Sequence, residues 1–277
     1  MIKHTPPDLA QLPGGFVPNP ELIPIITGST PFVEEIRGLN GNAFIIHHAL
    51  NEFDCADLRA FFAEAPIAAP VSVAGFNESM SSANTMGVTG SMRTTMWTPE
   101  LAELVWDQIK MFFGPRYMED TTSTDWWQAK SQIRPLSVWH EMKIHRHWAA
   151  VGASPMMRFM KYEDGGEHYA HYDAGYFYPD GEHRTLMSFV LYLTTNTEGG
   201  ATRFIKDAQS DLPVWKRTHD DWDRQVKEEE VIKAVQPREG SILVFDHRLC
   251  HDVQPYLGEN PRIIVRGDII YKKYDRI

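Results

Sequence analysis

Three side chains in the second half of the chain could bind one metal ion. His171 and Asp173 are two residues apart, and residues at this spacing in an extended strand project from the same face of a sheet. A further imidazole, from His247 or His251, would complete the ligand set, and spacing alone leaves both open. Two histidines and one carboxylate on one face of an octahedron leave coordination positions open, which is typical of non-haem Fe(II) sites and not of closed structural sites.

Arg262 could bind a carboxylate near such a metal ion. It follows His251 and begins the apolar run 262–266, which is typical of a strand. Its guanidinium can donate two parallel hydrogen bonds to a carboxylate and stays charged at cellular pH; the alternative is a surface salt bridge. Tyr192 could add a hydroxyl to the same carboxylate, and its alternative is an ordinary core position. The pairing requires that the predicted strand 184–193 has one face made of Arg184, Leu186, Ser188, Val190 and Tyr192.

Other candidate ligands fit a metal site less well. The offset of three from His171 predicts that His168 lies on the opposite face of the strand. His140 and His145 are five residues apart, which is about 140° around a helix, whereas a zinc-protease helix needs the spacing of four. Cys250 has no base at a spacing that would activate it, and we interpret it as a small packing residue.

The composition favours one acidic cytoplasmic protein. A net charge of −10 and a pI near 5.6 argue against a nucleic-acid-binding surface, which needs clustered Lys and Arg. Cys55 and Cys250 have no disulfide or metal-ligand spacing, so we expect a reducing compartment. No apolar run is long enough to span a bilayer, and the N-terminal residues lack the apolar core of a secretion signal.

The first half of the chain predicts a support region around a few secondary-structure elements. Residues 1–42 are rich in proline and are predicted to form an arm on the domain. A short strand is expected at Phe44–Ile46, followed by a helix capped by Asn51. Residues 67–91 lack a clear period, which predicts a loop, and Thr98 with Pro99 begins a second amphipathic helix. The tryptophans between Trp97 and Trp148 indicate a core or an aromatic pocket.

From residue 157 onward the pattern changes to short apolar runs separated by Gly, Pro and Asp, which predicts a mainly β core. We expect one structural domain with the arm at 1–42, a helical and aromatic support region at 43–156 and the catalytic core at 157–277. The charged segment 206–233 is predicted to be an insertion at one end of this core. The predicted strands are 157–162, 168–173, 186–193, 201–205, 241–246 and 262–271.

These motifs, in this order, resemble the Fe(II)- and 2-oxoglutarate-dependent dioxygenases of the prolyl 4-hydroxylase-like superfamily. The resemblance covers Met157 to Tyr271. The chain differs from many members in having Arg262 where they have lysine, and Asp252-Val253 where they have Glu-Gly. The segments that are similar to the family are Arg158–Tyr162 with Gly165-Gly166, His171–Asp173, Ser188–Leu193, Glu198–Phe204, Pro237–Phe245, His251-Asp252 and Arg262.

The resemblance implies a double-stranded β-helix, the jelly-roll or cupin-like core, with helices packed on one side. It implies that His171, Asp173 and His251 hold Fe(II), which favours His251 over His247. It also implies that Arg262, Tyr192 and Tyr162 bind 2-oxoglutarate. Dioxygen would be the second co-substrate, with ascorbate as an accessory reductant.

The reaction implied by the resemblance is hydroxylation of an unactivated C–H bond, with release of succinate and CO2. Halogenating relatives have a small residue in place of the metal-bound carboxylate, so Asp173 favours hydroxylation; desaturation and cyclisation would use the same ligands. The expected substrate is a small molecule, namely a free amino acid or a natural-product intermediate, with no nucleic acid or membrane as partner. The alternatives are a prolyl or peptidyl hydroxylase and a non-catalytic metal-binding jelly roll. The oligomeric state does not follow from the sequence.

Overall fold

A computed structural model describes residues 31–64, 88–113, 147–209, 212 and 224–274. Most of the predicted arm, the loop residues 67–87, His140, His145 and most of the predicted insertion lie outside these described residues. The helices are α1 (Glu52–Glu64) and α2 (Pro99–Ile109), with 3-10 turns at Lys110–Phe113 and Glu228–Glu230. The strands are β1 (Phe32–Glu35), β2 (Ala43–His47), β3 (Val88–Trp97), β4 (His147–Ala153), β5 (Met156–His171), β6 (His183–Tyr192), β7 (Thr202–Ile205), β8 (Val231–Val235), β9 (Ile242–Asp246), β10 (His251–Val253) and β11 (Arg262–Tyr274).

The strands form a curled antiparallel sheet in the order β1-β2-β9-β6-β11-β5-β10-β7-β8, with β3 beside β5 and β4 beside β11. The long strand β5 joins the two layers of this curl. Its first part pairs with β11, from Arg158 opposite Arg266 to Tyr162 opposite Arg262, and its last residue, His171, pairs with β10. The structure therefore confirms the predicted mainly β, jelly-roll core with packed helices. It also shows that β1 to β4, which come before residue 157, belong to the same sheet.

Two apolar clusters lie on opposite sides of the main layer. Successive residues of β6 contribute to them in turn. Phe189 and Leu191 belong to the cluster under α1 and α2, whereas Val190 and Tyr192 belong to the cluster inside the curl. We call these the helix-side core and the interior core. Alternation of this kind is what a strand buried on both faces requires.

Both predicted helices are present, and they pack on the outer face of the main layer. The side chain of Asn51 accepts hydrogen bonds from the backbone N–H groups of Phe53 and Asp54, both at 2.9 Å, which confirms the predicted cap. Helix α2 begins at Pro99 as predicted, but the Thr98 side chain makes no capping hydrogen bond. Trp106 is buried in the helix-side core, so the core interpretation holds for this tryptophan.

Two local predictions, for Cys250 and for the loop 67–91, have a direct outcome. Cys55 and Cys250 are both buried, and Cys250 packs with Ala170 and Ile205 as a small core residue, as predicted. The predicted loop 67–91 is wrong at its end, because residues 88–91 belong to β3. Among the helices of the described residues, none is long and apolar enough to cross a bilayer.

The predicted face of β6 is wrong for Leu186. Leu186 lies in the helix-side core together with Met187 and Phe189, and not on the face that carries Ser188. The pairing of β6 with β11 shifts between Ile269 and Ile270, and such a β-bulge reverses the facing of the residues that precede it. The alternation predicted from the sequence therefore holds only from Ser188 to Tyr192.

Gly240, in the turn before β9, contacts Leu50 in the loop between β2 and α1, and an alanine at position 240 should destabilise the fold. Its φ is +76°, and an added Cβ would lie 2.2 Å from the carbonyl oxygen of Leu50. Gly165 also has a φ of +76° but has nothing within 4 Å of such a Cβ, so Gly165→Ala is a matched control for backbone strain alone. We expect Gly240→Ala to lower the free energy of unfolding by about 1–3 kcal/mol more than the control does, as measured by urea unfolding. Equal losses would contradict the close contact with Leu50.

Candidate metal centre

The structure brings His171, Asp173 and His251 together at the junction of β5 and β10. One ligand atom from each residue lies within 4.8 Å of the other two. His171 and His251 are direct partners across the two strands, and Asp173 follows the end of β5, where its N–H donates to the carbonyl of His247 at 3.2 Å. The carboxylate oxygens of Asp173 lie 3.9 Å from His171 Nε2 and 3.8 Å from His251 Nε2. The three side chains thus face one common point, and we refer to His171, Asp173 and His251 as the metal group.

Each imidazole is oriented by a backbone carbonyl on its far side. Nδ1 of His171 lies 2.7 Å from the carbonyl oxygen of Tyr169, and Nδ1 of His251 lies 2.9 Å from that of Leu249. A carbonyl can only accept, so Nδ1 carries the proton and the lone pair is left on Nε2 of both rings. Burial lowers the pKa of His251, and it lowers the pKa of His171 to about 4. Both rings are therefore neutral at neutral pH, as metal ligands must be.

Asp173 is held as an ionised carboxylate by Arg266 and Ser188. Arg266 Nη2 lies 2.8 Å from Asp173 Oδ1, and Ser188 Oγ donates to Oδ2 at 2.5 Å. Burial alone would raise the pKa of Asp173, but Arg266 and the two imidazoles more than offset this, so the pKa lies well below its usual range. The carboxylate is charged and oriented before any metal binds. Spacing alone does not predict the contact with Arg266, although Arg266 lies on the same face of β11 as Arg262.

His247 lies outside this group of three. Its Nε2 is 3.2 Å from Asp268 Oδ1, and Asp268 also pairs with Arg158 at 3.4 Å and with Arg266 at 3.2 Å. All the charges of this buried cluster therefore have partners. The geometry makes His247 a supporting residue next to the metal group.

Substitution of His251 and His247 should separate these two positions. We expect His251→Asn to lose bound iron, because one of three ligand atoms is removed, whereas His247→Asn should keep it. The measurement is iron content after anaerobic loading and desalting, with circular dichroism as the check on folding. Loss of iron from a folded His247→Asn variant, with retention in His251→Asn, would reverse the assignment.

The predicted facing of His168 is wrong. Its ring stacks on that of His171 with a centroid separation of 3.8 Å, so it lies beside the metal group and not on the opposite face. His251 pairs with His171 and Val253 pairs with His168, which leaves an extra residue on β5. This bulge turns the side chain of His168 to the same face of the strand as that of His171.

Arg262 lies in the interior core, and two of its three guanidinium nitrogens have no acceptor among the described residues. The residue has 0% exposure, and its Nη2 donates to Thr202 Oγ1 at 3.5 Å. Within the described ranges its Nε and Nη1 have no hydrogen-bond partner. The guanidinium carbon lies 4.7 Å from the ring centre of Tyr162 and 5.8 Å from that of Tyr192. A buried guanidinium with free donors fits the carboxylate of a bound ligand.

Tyr192 and Tyr162 are both buried beside Arg262, where the resemblance implies that 2-oxoglutarate binds. The hydroxyl of Tyr192 lies 3.0 Å from Thr202 Oγ1, and that of Tyr162 donates weakly to the sulfur of Met160 at 3.8 Å. Burial raises the pKa of both phenols, so both stay neutral donors. Gly200 leaves space for the Arg262 side chain, because a Cβ at position 200 would lie 3.0 Å from Arg262 Cδ.

The arginine pocket and the metal group face the same interior. Strand β7 connects them, since Phe204 pairs with His251 and Thr202 pairs with Val253. Thr202 and Phe204 are alternate residues on one face, roughly 7 Å apart along the strand. This separation suits a five-carbon dicarboxylate with one end at the metal and the other at Arg262.

Comparison with known proteins gives one family. Residues 157–267 match the model of the 2OG-Fe(II) oxygenase superfamily, whereas no curated protein matches. Among solved structures, the viral collagen prolyl hydroxylase of Paramecium Bursaria Chlorella virus-1 is 16% identical with a TM-score of 0.40, covering 83% of this chain and 96% of its own. A Pseudomonas putida prolyl-4-hydroxylase is 17% identical with a TM-score of 0.44, covering 83% and 92%.

A third solved structure is HygX from Streptomyces hygroscopicus with nickel and 2-oxoglutarate bound. It is 11% identical with a TM-score of 0.43, covering 84% of this chain and 83% of its own. These similarities are too distant to indicate a substrate. The family match itself spans His171, Asp173, His251 and Arg262, so the metal group and the arginine pocket both lie within it. This match over residues 157–267 indicates an oxygenase that uses Fe(II), 2-oxoglutarate and dioxygen.

Proposed function

We propose that this enzyme hydroxylates an unactivated C–H bond of a small molecule, a free amino acid or a natural-product intermediate, and releases succinate and CO2. One observation carries the proposal. A neutral His171, a neutral His251 and an ionised Asp173 converge in the same interior that holds the Arg262 donors without acceptors among the described residues. The first set suits Fe(II) and the second suits the far carboxylate of 2-oxoglutarate.

The donor set fits iron in an open site. Two imidazole nitrogens and one carboxylate oxygen are the ligands of the facial arrangement, which leaves positions for co-substrates. When bound, Fe(II) with 2-oxoglutarate and dioxygen supplies the oxidising power that removes hydrogen from a C–H bond. The chain contributes orientation: carbonyl groups fix the two rings, Arg266 and Ser188 fix Asp173, and the apolar interior excludes water.

The carboxylate of Asp173 supports hydroxylation in particular. Halogenation in related enzymes needs a metal position that a carboxylate would fill, and here both oxygens of Asp173 are held in place facing the histidines. Desaturation or cyclisation would use the same ligands, so product analysis distinguishes them: hydroxylation adds one oxygen atom, whereas the other two reactions remove two hydrogens.

Limited access to the metal group supports a small substrate. The side chain of His251 is 5% exposed, that of Asp173 8% and that of His171 18%. Side chains that are this little exposed suit a compact ligand. A cytoplasmic location remains a prediction from the sequence.

The test is iron-dependent conversion of 2-oxoglutarate to succinate, measured with a panel of free amino acids and with a panel of proline-rich peptides. We expect one or more of the amino acids to stimulate succinate release and to gain one oxygen atom by mass spectrometry. Stimulation by peptides alone would favour the prolyl or peptidyl hydroxylase. Absence of any iron-dependent succinate, from protein that binds iron, would favour the non-catalytic jelly roll.

A further inference from the structure

Arg93 on β3 faces the interior of the jelly roll. It is the direct partner of Met160 across the β3–β5 pair, and directly paired residues of antiparallel strands point to the same side. Met160 belongs to the interior core, whereas Met96, three residues after Arg93, belongs to the helix-side core. The register therefore directs the Arg93 side chain towards the side that holds the metal group.

Arg93 lies near the cations that surround this group. Thr95 on β3 is opposite Arg158, and Arg158 is in turn opposite Arg266 on β11. Adjacent strands are about 5 Å apart, so the long side chains of Arg93 and Arg266 approach each other across β5. Burial lowers the pKa of Arg93, and Arg266 lowers it further, which is consistent with this closeness.

The other arginines of this interior have acceptors or an assigned ligand. Arg158 pairs with Asp268, and Arg266 pairs with Asp173 and Asp268. Arg262 forms its own pocket with Thr202. For Arg93, by contrast, no hydrogen bond or ion pair is found in the part of the chain that the structure describes. A half-buried guanidinium without a counter-charge favours the entry of an anion.

The balance of charge points the same way. Two carboxylates, Asp173 and Asp268, face three guanidinium groups, Arg93, Arg158 and Arg266. The two positive charges of bound Fe(II) would offset the two negative charges of 2-oxoglutarate, and Arg262 adds one further positive charge. The loaded site would thus carry a net positive charge. Arg93, which has no acceptor among the described residues, lies next to Arg266, and Arg266 holds the carboxylate of Asp173.

We propose that Arg93 binds a carboxylate group of the substrate and makes the enzyme selective for small carboxylic acids. The proposal rests on the proposed function, because it assigns the substrate class of that same site. A single planar guanidinium matches one carboxylate through two parallel hydrogen bonds. Arg93 would hold the acid end of the substrate at the β3 side, with the rest of the molecule reaching towards the metal.

The test is equilibrium binding to protein loaded with Mn(II) and 2-oxoglutarate, which keeps the site filled without turnover. The probes are free amino acids, 2-hydroxy acids and arylacetic acids, each compared with its primary amide. We expect acids to bind and their amides to bind roughly 10- to 100-fold more weakly. Arg93→Gln should remove this preference, and Arg93→Lys should keep part of it.

Two controls isolate the role of Arg93. Arg37→Gln changes an arginine whose side chain is 84% exposed and which pairs with Glu35, so it should bind acids as the wild type does. Binding of Mn(II) and 2-oxoglutarate is measured first in every variant. If Arg93→Gln lowers the affinity for 2-oxoglutarate itself, Arg93 belongs to the co-substrate and the proposal is wrong.

The outcomes separate this inference from the proposed function. If no acid binds the loaded wild type, or if Arg93→Gln binds acids and amides as the wild type does, the inference fails even when small-molecule turnover is found. If acids bind through Arg93 but are never oxidised in the Fe(II) enzyme, the inference stands and the proposed hydroxylation fails.

Discussion

Replacing Asp173 by alanine is expected to abolish iron-dependent conversion of 2-oxoglutarate to succinate. The change removes one of three converging ligands, and loss of a residue that only supports a ligand already lowers metal affinity or activity 10- to 100-fold in typical sites. We therefore expect a loss of more than about 100-fold. The fold should survive, because Arg266 keeps its contact with Asp268 at 3.2 Å.

The measurements for Asp173→Ala are succinate release, bound iron and thermal unfolding. Asp180→Ala is the matched control, since Asp180 is an exposed carboxylate that pairs with His183. Normal succinate yield from Asp173→Ala would remove Asp173 from the ligand set. If Asp173→Ala loses both activity and folding, Asp173→Asn is measured instead, because asparagine keeps the shape of the side chain and the contact with Ser188.

Replacing Arg262 by alanine is expected to raise the concentration of 2-oxoglutarate that the enzyme needs. Breaking one side of a buried charged pair costs about 3–5 kcal/mol, which corresponds to more than about 100-fold in affinity. Iron binding should be unchanged, because Arg262 touches none of the three ligands and contacts Thr202, Tyr162 and Tyr192 instead.

The stability of the protein without co-substrate provides a second measurement for this variant. Arg262 is fully buried, and two of its nitrogens lack acceptors among the described residues, so Arg262→Met should not lower the melting temperature of the ligand-free protein. It should, however, eliminate the stabilisation that added 2-oxoglutarate gives the wild type. Arg262→Lys keeps the charge and should bind 2-oxoglutarate with intermediate affinity. An unchanged requirement in Arg262→Ala would assign the carboxylate to another cation.

Local patterns in the sequence predict the parts of this fold that depend on neighbouring residues. The cap at Asn51 and the start of α2 at Pro99 follow from a few adjacent side chains. The approach of His171 to Asp173 follows from a spacing of two at the end of a strand, although Asp173 itself lies just beyond β5. The resemblance adds the order of the distant segments, which is why His251 and Arg262 can be named.

The remaining features depend on pairing between distant strands. A bulge moves His168 beside His171 and another turns Leu186 to the helix side, and neither has a glycine or proline at the shifted residue to reveal it. The contact of Arg266 with Asp173, and the facing of Arg93, follow from the registers of β3, β5 and β11. A one-residue change of register would reverse both, and no local pattern fixes it.

Strand β5 carries Tyr162, which lies beside Arg262, and ends at His171. One continuous stretch of backbone therefore joins the Arg262 pocket to the candidate iron ligands and sets the distance between them. Slow amide exchange in the two paired parts of β5, residues 158–162 and 168–171, would be the signature of such a frame.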